Sequence, residues 1–389
     1  MVTVLVTDAE QGRIPLNIIR SLGRKGIKCY LGGCLKVATP YYSRYCSKKI
    51  IYPSPVSKPA EFKAFIFELI KNEKFDAVFP VMNDTVLFFS KYKDELSQYT
   101  KIPLVEYNKM ILAMNKANTL KLAEKLKIPI PKTYYPEDIK ELKEILTELT
   151  FPVILKAKNS FGSQGVRLCY SKKQLIWSFM ALSKTYGAPL VQEYIPEGGD
   201  ALGVSCLFDY QHQEKAVFSH RRLRQYPIKG GPSTLRESIK HPQAEALALK
   251  LLHKIGWFGV AMVEFKVDPR DNQPKLMEIN PRFWGSLSLA IFAGVDFPYL
   301  LYQLVTKGQI KEIKNYKVGI RSRWLGGDFL YLLNTKHKLR FLPEFFNFHR
   351  ENTFTEDFAR DDPLPFLSRP LSFIYLFDRK IREKIFRYV

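Results

Sequence analysis

The chain has 389 residues, of which 46% are hydrophobic and 14% aromatic, and its 60 Lys and Arg against 38 Asp and Glu leave a formal net charge of +22. This length exceeds one ordinary compact domain, and the apolar content excludes a chain that is disordered throughout. The charge favours an anionic partner such as nucleotide phosphates, an acidic substrate, nucleic acid or a membrane surface.

The five cysteines are scattered and form no Cys-x-x-Cys pair. This spacing disfavours both a zinc module and a disulfide scaffold, and we expect a reducing, cytoplasmic location. The first residues lack a basic region and a long apolar region, so they predict a strand instead of a signal peptide. Between Trp284 and Thr306 the single charge is Asp296, but glycines and a proline there favour an active-site loop and a buried helix over a transmembrane span.

The first part of the chain alternates between strand and helix. Strands are expected at 2–7, 27–31 and 77–81, and the first helix at 14–25. A strand, a helix and a strand at this spacing form a βαβ unit, whose strands are parallel. Asn83 and Asp84 are expected to cap the helix that follows the third strand. These residues therefore predict a small doubly wound α/β domain, and they lack the GxGxxG pattern of a dinucleotide site.

The middle of the chain predicts a strand that ends in a lysine, a glycine loop and a returning strand. Residues 151–156 are apolar up to Lys156, and the loop 159–166 contains two serines with hydroxyl donors, Ser160 and Ser163. Glycines let backbone N–H groups turn toward phosphate oxygens, although the loop is not of the Walker A type. A plain glycine hairpin is the alternative. Lys156 favours the phosphate site, because a lysine on the inner face of an apolar strand needs an anionic partner.

Further elements complete this region. Helices are expected at 115–127, 137–149 and 174–185, and strands at 167–170 and 189–195. The backbone of 191–195 has the extended form that hydrogen-bonds an adenine edge, and Asp200 is a candidate for ribose hydroxyls. This signal is weak by itself.

Residues 259–282 predict an antiparallel hairpin of two strands around a polar turn. Facing residues in such a hairpin have a constant index sum, so Glu264 and Glu278 should lie nearly opposite each other. Side chains alternate along a strand, and Asn280 and Arg282 therefore share the face of Glu278. Two carboxylates and an amide oxygen suit Mg²⁺ or Mn²⁺ when phosphate oxygens complete the coordination. The alternative is a solvated polar face.

These motifs, in this order, resemble the ATP-grasp superfamily over about residues 1–310. The most specific is Met277-Glu-Ile-Asn-Pro-Arg282, which is similar to the metal strand of the branch containing biotin carboxylase, carbamoyl-phosphate synthetase and D-alanine–D-alanine ligase. The resemblance implies an ATP-grasp fold of the α/β class, α+β in its catalytic part. Its expected parts are an N-terminal α/β domain (1–110), a lid or central subdomain (111–190), a catalytic subdomain (191–310) and a basic, aromatic C-terminal extension (311–389).

The resemblance also implies roles for individual residues. Lys116 and Lys156 would meet ATP phosphates, and Arg282 the transferring phosphoryl group or an acyl-phosphate. Glu264, Glu278 and Asn280 would hold one or two Mg²⁺. The lid over the phosphates would comprise Ser160, Gly162, Ser163, Gly165 and Val166. The nucleoside would contact Gln192, Glu193, Tyr194, Ile195 and Asp200, with adenine bound mainly through backbone.

Such enzymes transfer the γ-phosphoryl of ATP to a carboxylate, and an amine, or less often a thiol, attacks the acyl-phosphate. The resemblance thus implies an ATP-dependent ligase with small-molecule substrates, and related enzymes are often dimers. A bicarbonate-activating enzyme of the biotin carboxylase or carbamoyl-phosphate synthetase kind and a non-catalytic ATP-binding module stay as alternatives. A basic cluster beside a Gly-Gly loop suggests that Arg221 or Arg222 reaches the acyl-phosphate or the substrate carboxylate, with a solvated basic edge as the rival interpretation.

The C-terminal extension lies beyond the resemblance. Residues 324–333 predict a helix that packs on the core, and the tail 379–387 alternates basic and apolar residues. Contact of this tail with an anionic membrane or polymer is one interpretation, and a helix covering the catalytic domain is the favoured one. Sequence-specific nucleic-acid binding is disfavoured, since the basic residues are spread along the chain and no helix-turn-helix, RRM or KH signature occurs.

Overall fold

The computed structural model describes residues 2–159, 165–228, 231–347 and 351–372. Their strands form three sheets, two of four strands and one of seven.

The N-terminal sheet has the strand order β3-β2-β1-β4, and all its pairings are parallel. Its elements are β1 (Thr3–Val6), α1 (Arg13–Gly23), β2 (Lys28–Gly33), β3 (Cys46–Ile51), α2 (Pro59–Asn72), β4 (Ala77–Phe79), α3 (Asn83–Lys91), α4 (Lys93–Leu96) and α5 (Tyr107–Met114). The predicted βαβ unit is confirmed. The chain continues from β1 to β2 and β3 on one side of β1, and then reaches β4 on the other side. The carboxyl ends of β1 and β4 therefore border the crevice where open α/β sheets bind ligands.

Asn83 does not cap α3, so that expectation is wrong. The helix begins at Asn83 itself, and its N-cap position is occupied by Met82, whose side chain makes no capping hydrogen bond. The buried carboxylate of Asp8, which follows β1, instead accepts the backbone N–H groups of Val81 at 3.1 Å and Met82 at 2.9 Å. A carboxylate at a helix N-terminus is favoured by the helix dipole, and here it comes from a distant strand.

The second sheet, β5-β8-β6-β7, belongs to the expected lid region. Its elements are α6 (Lys116–Lys125), β5 (Thr133–Tyr134), α7 (Ile139–Glu144), β6 (Val153–Lys156), β7 (Val166–Cys169), α8 (Lys172–Tyr186) and β8 (Leu190–Glu193). The predicted helix at 137–149 is shorter and ends in a 3₁₀ turn. A small hydrophobic core separate from the main one lies beneath this sheet, and it includes Leu155, Leu175 and Phe179.

The third sheet is β13-β12-β9-β10-β11-β14-β15. Its elements are β9 (Ala201–Phe208), β10 (Glu214–Gln225), β11 (Ser233–Ile239), α9 (Pro242–Ile255), β12 (Gly259–Asp268), β13 (Gln273–Asn280), α10 (Leu287–Phe292), α11 (Phe297–Lys307), β14 (Arg321–Arg323), α12 (Leu325–Asn334), α13 (Lys338–Phe346), β15 (Thr353–Thr355), α14 (Leu364–Leu367) and α15 (Arg369–Ser372). Its strands pair antiparallel except β14 and β15. The C-terminal extension therefore supplies two strands of this sheet.

The apolar stretch from Trp284 forms a loop and the buried helices α10 and α11. Within the part of the chain that the structure describes, every helix is too short or too polar to cross a membrane. The predicted helix at 324–333 is present as α12. The basic tail at 379–387 lies outside the described residues.

Candidate active site

The β12–β13 hairpin brings the two predicted carboxylates together. Glu264 and Glu278 are direct partners in its register, and Met262 is the partner of Asn280, so the index sum of 542 expected from the sequence is confirmed. A bulge directly after Glu264 shifts the register on the turn side only. Glu264, Glu278 and Asn280 consequently lie on one face of the hairpin.

Cationic side chains hold this carboxylate pair. The Nζ atom of Lys116 lies 3.1 Å from Glu278 Oε2, and Arg222 donates to Glu264 Oε2. Asn280 Nδ2 donates to Glu264 Oε1 at 3.1 Å. Burial raises the pKa of Glu264, which Arg222 opposes and the neighbouring Glu278 reinforces. Burial acts in the same direction on Glu278, but Lys116 and the other cations outweigh it and lower the pKa of that carboxyl group.

Arg282 is held by contacts from three directions. Its Nε donates to Asn83 Oδ1 of the N-terminal domain, its Nη1 to the Phe283 carbonyl oxygen at 2.8 Å, and its Nη2 to Asn280 Oδ1 at 3.3 Å. Burial lowers the pKa of Arg282, and the two glutamates of the hairpin oppose that effect. The guanidinium therefore sits beside the carboxylate pair and joins the end of the hairpin to the start of α3.

Lys156 occupies the inner face of β6. Its Nζ donates to Gln192 Oε1 at 2.7 Å and lies 3.7 Å from Met277 Sδ. Gln192 is itself oriented, because its Nε2 donates to Thr133 Oγ1 at 2.8 Å. Burial lowers the pKa of Lys156 to about 8, with the Lys116 charge adding to the effect and the Glu278 charge opposing it. An anion near this nitrogen would stabilise its charged form.

The expected nucleoside residues are brought together only in part. The carboxylate of Glu193 accepts the backbone N–H of Lys132 at 2.8 Å and pairs with Arg270 at 3.1 Å. The Ile195 carbonyl oxygen accepts Lys266 Nζ at 2.8 Å. Gln192 is thus joined to Lys156 and the Ile195 backbone to Lys266, whereas the carboxylate of Glu193 is used within the protein.

The two candidate arginines of β10 lie on opposite faces, as adjacent strand residues must. Arg222 reaches Glu264, so it belongs to the site. Arg221 pairs with Glu237 at 2.8 Å and with Asp200 at 3.3 Å. Neither Arg221 nor Asp200 is therefore brought to the carboxylate pair.

The glycine loop is described only at its end. Ser160, Gly162 and Ser163 lie outside the described residues. The Gly165 carbonyl oxygen accepts the N–H of Ala157 at 2.9 Å, and Val166 pairs with Lys156 in the β6–β7 register. The loop therefore connects two antiparallel strands directly beside Lys156.

Asn83 is a site residue that the sequence reasoning missed. It orients Arg282 and lines a cleft of about 300 Å³, open to solvent, together with Lys116, Glu278 and Asn280. Its position after a buried parallel strand was the available signal, because the carboxyl ends of such strands border ligand crevices.

The donor set fits a hard divalent cation. Two opposed carboxylates and an amide are oxygen ligands of the kind Mg²⁺ takes with phosphates. A cation between them would relieve the repulsion that contributes to the raised pKa of Glu264. Across the described ranges, no group of three or more His, Cys, Asp and Glu side chains is arranged for a metal, so phosphate or water oxygens would have to complete the coordination.

Comparisons with known proteins agree with this architecture. A family model described as an ATP-grasp in the biosynthetic pathway with Ter operon matches residues 188–327, and a RimK-like ATP-grasp domain model matches residues 113–208. D-aspartate ligase of Enterococcus faecium is 27% identical over 240 residues, which is 57% of this chain and 55% of that protein. The chain thus spans about half the length of this relative.

Solved structures show the same fold. The biotin carboxylase domain dimer of 2-oxoglutarate carboxylase from Hydrogenobacter thermophilus, in complex with MgADP and bicarbonate, has a TM-score of 0.67 at 17% identity, covering 82% of this chain and 73% of that one. L-amino acid ligase from Bacillus licheniformis has a TM-score of 0.63 at 16% identity, covering 79% and 74%. The fold is therefore that of ATP-grasp proteins. With the two family models, this places the chain in the ATP-grasp superfamily.

Proposed function

We propose that the protein is an ATP- and Mg²⁺-dependent carboxylate–amine ligase, with a thiol as the less common acceptor, that works through an acyl-phosphate. The observation that carries the proposal is the pair of facing carboxylates Glu264 and Glu278, with Asn280 beside them. Lys116 pairs with Glu278, and Arg222 pairs with Glu264. Phosphoryl transfer depends mainly on positioning and charge neutralisation, and these side chains are suited to both.

In the first step, a carboxylate oxygen of the substrate attacks the γ-phosphorus of ATP, and the bond to the β–γ bridging oxygen breaks to release ADP. Bound Mg²⁺ would neutralise phosphate charge at Glu264, Glu278 and Asn280. Lys116 and Lys156 would bind phosphate oxygens, and Arg282 would stabilise the transferred group. In the second step, the amine attacks the acyl carbon, inorganic phosphate leaves and the amine proton passes to solvent, so an amide is formed.

The nucleotide would bind along β8. Gln192 and Lys156 line its inner side, and the backbone around Tyr194 and Ile195 would meet adenine. Gly165 and Val166, at the described end of the glycine loop, would cover the phosphates together with Ser160, Gly162 and Ser163. Closure over the site would exclude the water that hydrolyses an acyl-phosphate.

Activation of bicarbonate is the second candidate, since the similar biotin carboxylase domain was solved with that anion. The same similarity suggests a homodimer, which the mass in solution would test. The five cysteines are free in the structure, which supports our inference of a reducing cytoplasm.

The test is Mg²⁺-dependent ADP release from ATP with a panel of amino acids, dipeptides, hydroxy acids, sugar acids and bicarbonate. The Glu278→Ala variant should lose the stimulated release, whereas Asp271→Asn, on the exposed turn of the same hairpin, should keep it. Stimulation by bicarbonate alone would favour the second candidate. Tight ATP binding without release under every condition would contradict the ligase and favour a non-catalytic ATP-binding module.

A further inference from the structure

A short acidic segment of the C-terminal extension contacts α1, the seven-stranded sheet and α10. The segment 356–362 contains four acidic residues, and its Asp362 pairs with Arg20 of α1 and its Asp361 with Arg24, the residue directly after α1, each at 2.8 Å. These contacts fasten the extension to the N-terminal domain.

Glu356, the first residue of this segment, is wholly buried and makes three contacts. Its carboxylate lies 2.6 Å from Arg13 Nη1 of α1 and 2.6 Å from Arg236 Nη2 of β11, and it accepts Ser288 Oγ of α10 at 2.7 Å. One carboxylate thus joins the N-terminal domain, the seven-stranded sheet and the helix that follows the Arg282 loop. The side chain therefore sits where three elements meet.

Arg236 transmits this arrangement to the loop at 281–286. Its Nη1 donates to the Gly285 carbonyl oxygen at 2.9 Å, three residues after Arg282. Within the described part of the chain, its Nε has no hydrogen-bond partner, and its Nη2 contacts Glu356 as an ion pair without hydrogen-bond geometry. On the same face of the sheet, Ser286 Oγ lies 3.1 Å from His220 Nε2. Side chains of β10 and β11 thus contact the loop at Gly285 and Ser286, while Asn83 of α3 contacts Arg282.

The charges make this arrangement depend on Glu356. Two guanidinium groups share one carboxylate, and Arg236 is almost completely buried. Burial lowers the pKa of Arg236, which Glu356 opposes. Without the carboxylate, two cations would repel each other in a region that water hardly reaches, and removing one member of a buried ion pair is costly. Arg236 would then move away from the Gly285 carbonyl group.

We infer that Glu356 is a positioning residue for the loop that carries Arg282, so that the C-terminal extension is part of the catalytic unit. The role of Arg282 rests on the proposed function, whereas the order of the loop does not. The competing explanation is that the acidic segment only fastens the domains and stabilises the whole chain.

Hydrogen exchange of the full-length protein separates these explanations. In Glu356→Gln, which keeps the shape of the side chain and removes its charge, peptides covering 282–293 should exchange about tenfold faster, with other peptides unchanged. Asp361→Asn is the matched control in the same segment, because its partner Arg24 is exposed, and it should match the wild type at 282–293. Equal exchange at 282–293 in all three proteins, or a uniform increase along the chain in Glu356→Gln, would overturn the inference.

Arg236→Lys provides a second variant if Glu356→Gln fails to fold. It keeps the charge and loses the guanidinium geometry that reaches Gly285, so the same peptides should exchange faster, and unchanged exchange would again overturn the inference. Once the enzyme has been shown to be active, both variants should bind MgADP with an affinity within about twofold of the wild type. Their rate of ADP formation from ATP should be about 100-fold lower. Exchange requires no turnover, so a failed ligase assay and an unaffected loop are distinguishable results.

Discussion

Lys156 is a half-buried lysine whose charge is only partly compensated by Glu278 and Glu264. Its ordinary pKa of 10.5 falls to about 8, mainly through burial. Between these values the folded protein binds fewer protons than the unfolded chain, so this group makes stability rise with pH over that window. Phosphate oxygens would instead favour the charged form, so nucleotide and proton binding at Lys156 are coupled.

We therefore expect MgADP affinity to fall as pH rises through 8, by up to about tenfold per pH unit above it. Calorimetric titrations between pH 7 and 9.5 measure this change. Lys156→Arg keeps its charge over the whole range and should give a flatter profile. A wild-type profile as flat as that of the variant would show that Lys156 does not contact the phosphates.

Arg221 and Arg222 form a natural matched pair, since they are adjacent and only Arg222 reaches Glu264. Arg222→Ala should lower the rate of ADP formation from ATP by about 100-fold, which corresponds to an activation free energy higher by roughly 2.7 kcal/mol. Removal of one group that stabilises developing charge typically has an effect of this size. Arg221→Ala should stay within about twofold. Steady-state kinetics of both variants test this, and equal losses would mean that Arg222 acts only through stability.

The sheet β5-β8-β6-β7, which is the lid in the proposed function, has a core of its own, and this independence can be tested. Phe179 of α8 is buried among Leu155, Leu175 and their neighbours, apart from the main core. Phe179→Ala should destabilise the lid by about 3–5 kcal/mol through the cavity it leaves. Hydrogen exchange should then increase at 133–193 and stay unchanged in the hairpin β12–β13, with weaker MgADP binding. An increase spread evenly over all sheets would show that the lid does not unfold separately.

Sequence periodicity predicted the elements that carry the site better than it predicted their ends. The β12–β13 register was correct because alternation and the turn together determine which residues face each other. The helix at 137–149 was shortened, since a 3₁₀ turn replaces its second half. The predicted cap of α3 was wrong because the helix already begins at Asn83, while the backbone just before it is bound by Asp8, 74 residues away from Met82.

At the scale of the whole molecule, buried ion pairs connect α1 to the acidic segment 356–362. Arg20 and Asp362 are both almost completely buried, whereas Arg24 and Asp361 are exposed by about two fifths. Asp362→Asn should lower the free energy of unfolding by about 3 kcal/mol, because Arg20 would remain buried and unpaired. Asp361→Asn should cost under about 1 kcal/mol.

Urea unfolding of the two variants at one pH measures the difference. The variants make the same Asp-to-Asn change at adjacent positions of the connection between β15 and α14, so composition and net charge are matched. Equal midpoints would show that the buried pair of Arg20 and Asp362 contributes no more stability than the exposed pair of Arg24 and Asp361.

Local patterns in the chain were enough to identify the parallel N-terminal sheet, the hairpin with its opposed carboxylates and the ATP-grasp resemblance. Each depends on residues close in sequence, where alternation, helical spacing and turn composition act directly. The choice of Arg222 over Arg221, the contact of Arg282 with Asn83 and the junction at Glu356 emerged only from the folded chain. The last two join residues 199 and 343 positions apart, and no local period encodes contacts of that range. Packing between elements distant in the sequence, and the cost of leaving a buried charge unpaired, decided them.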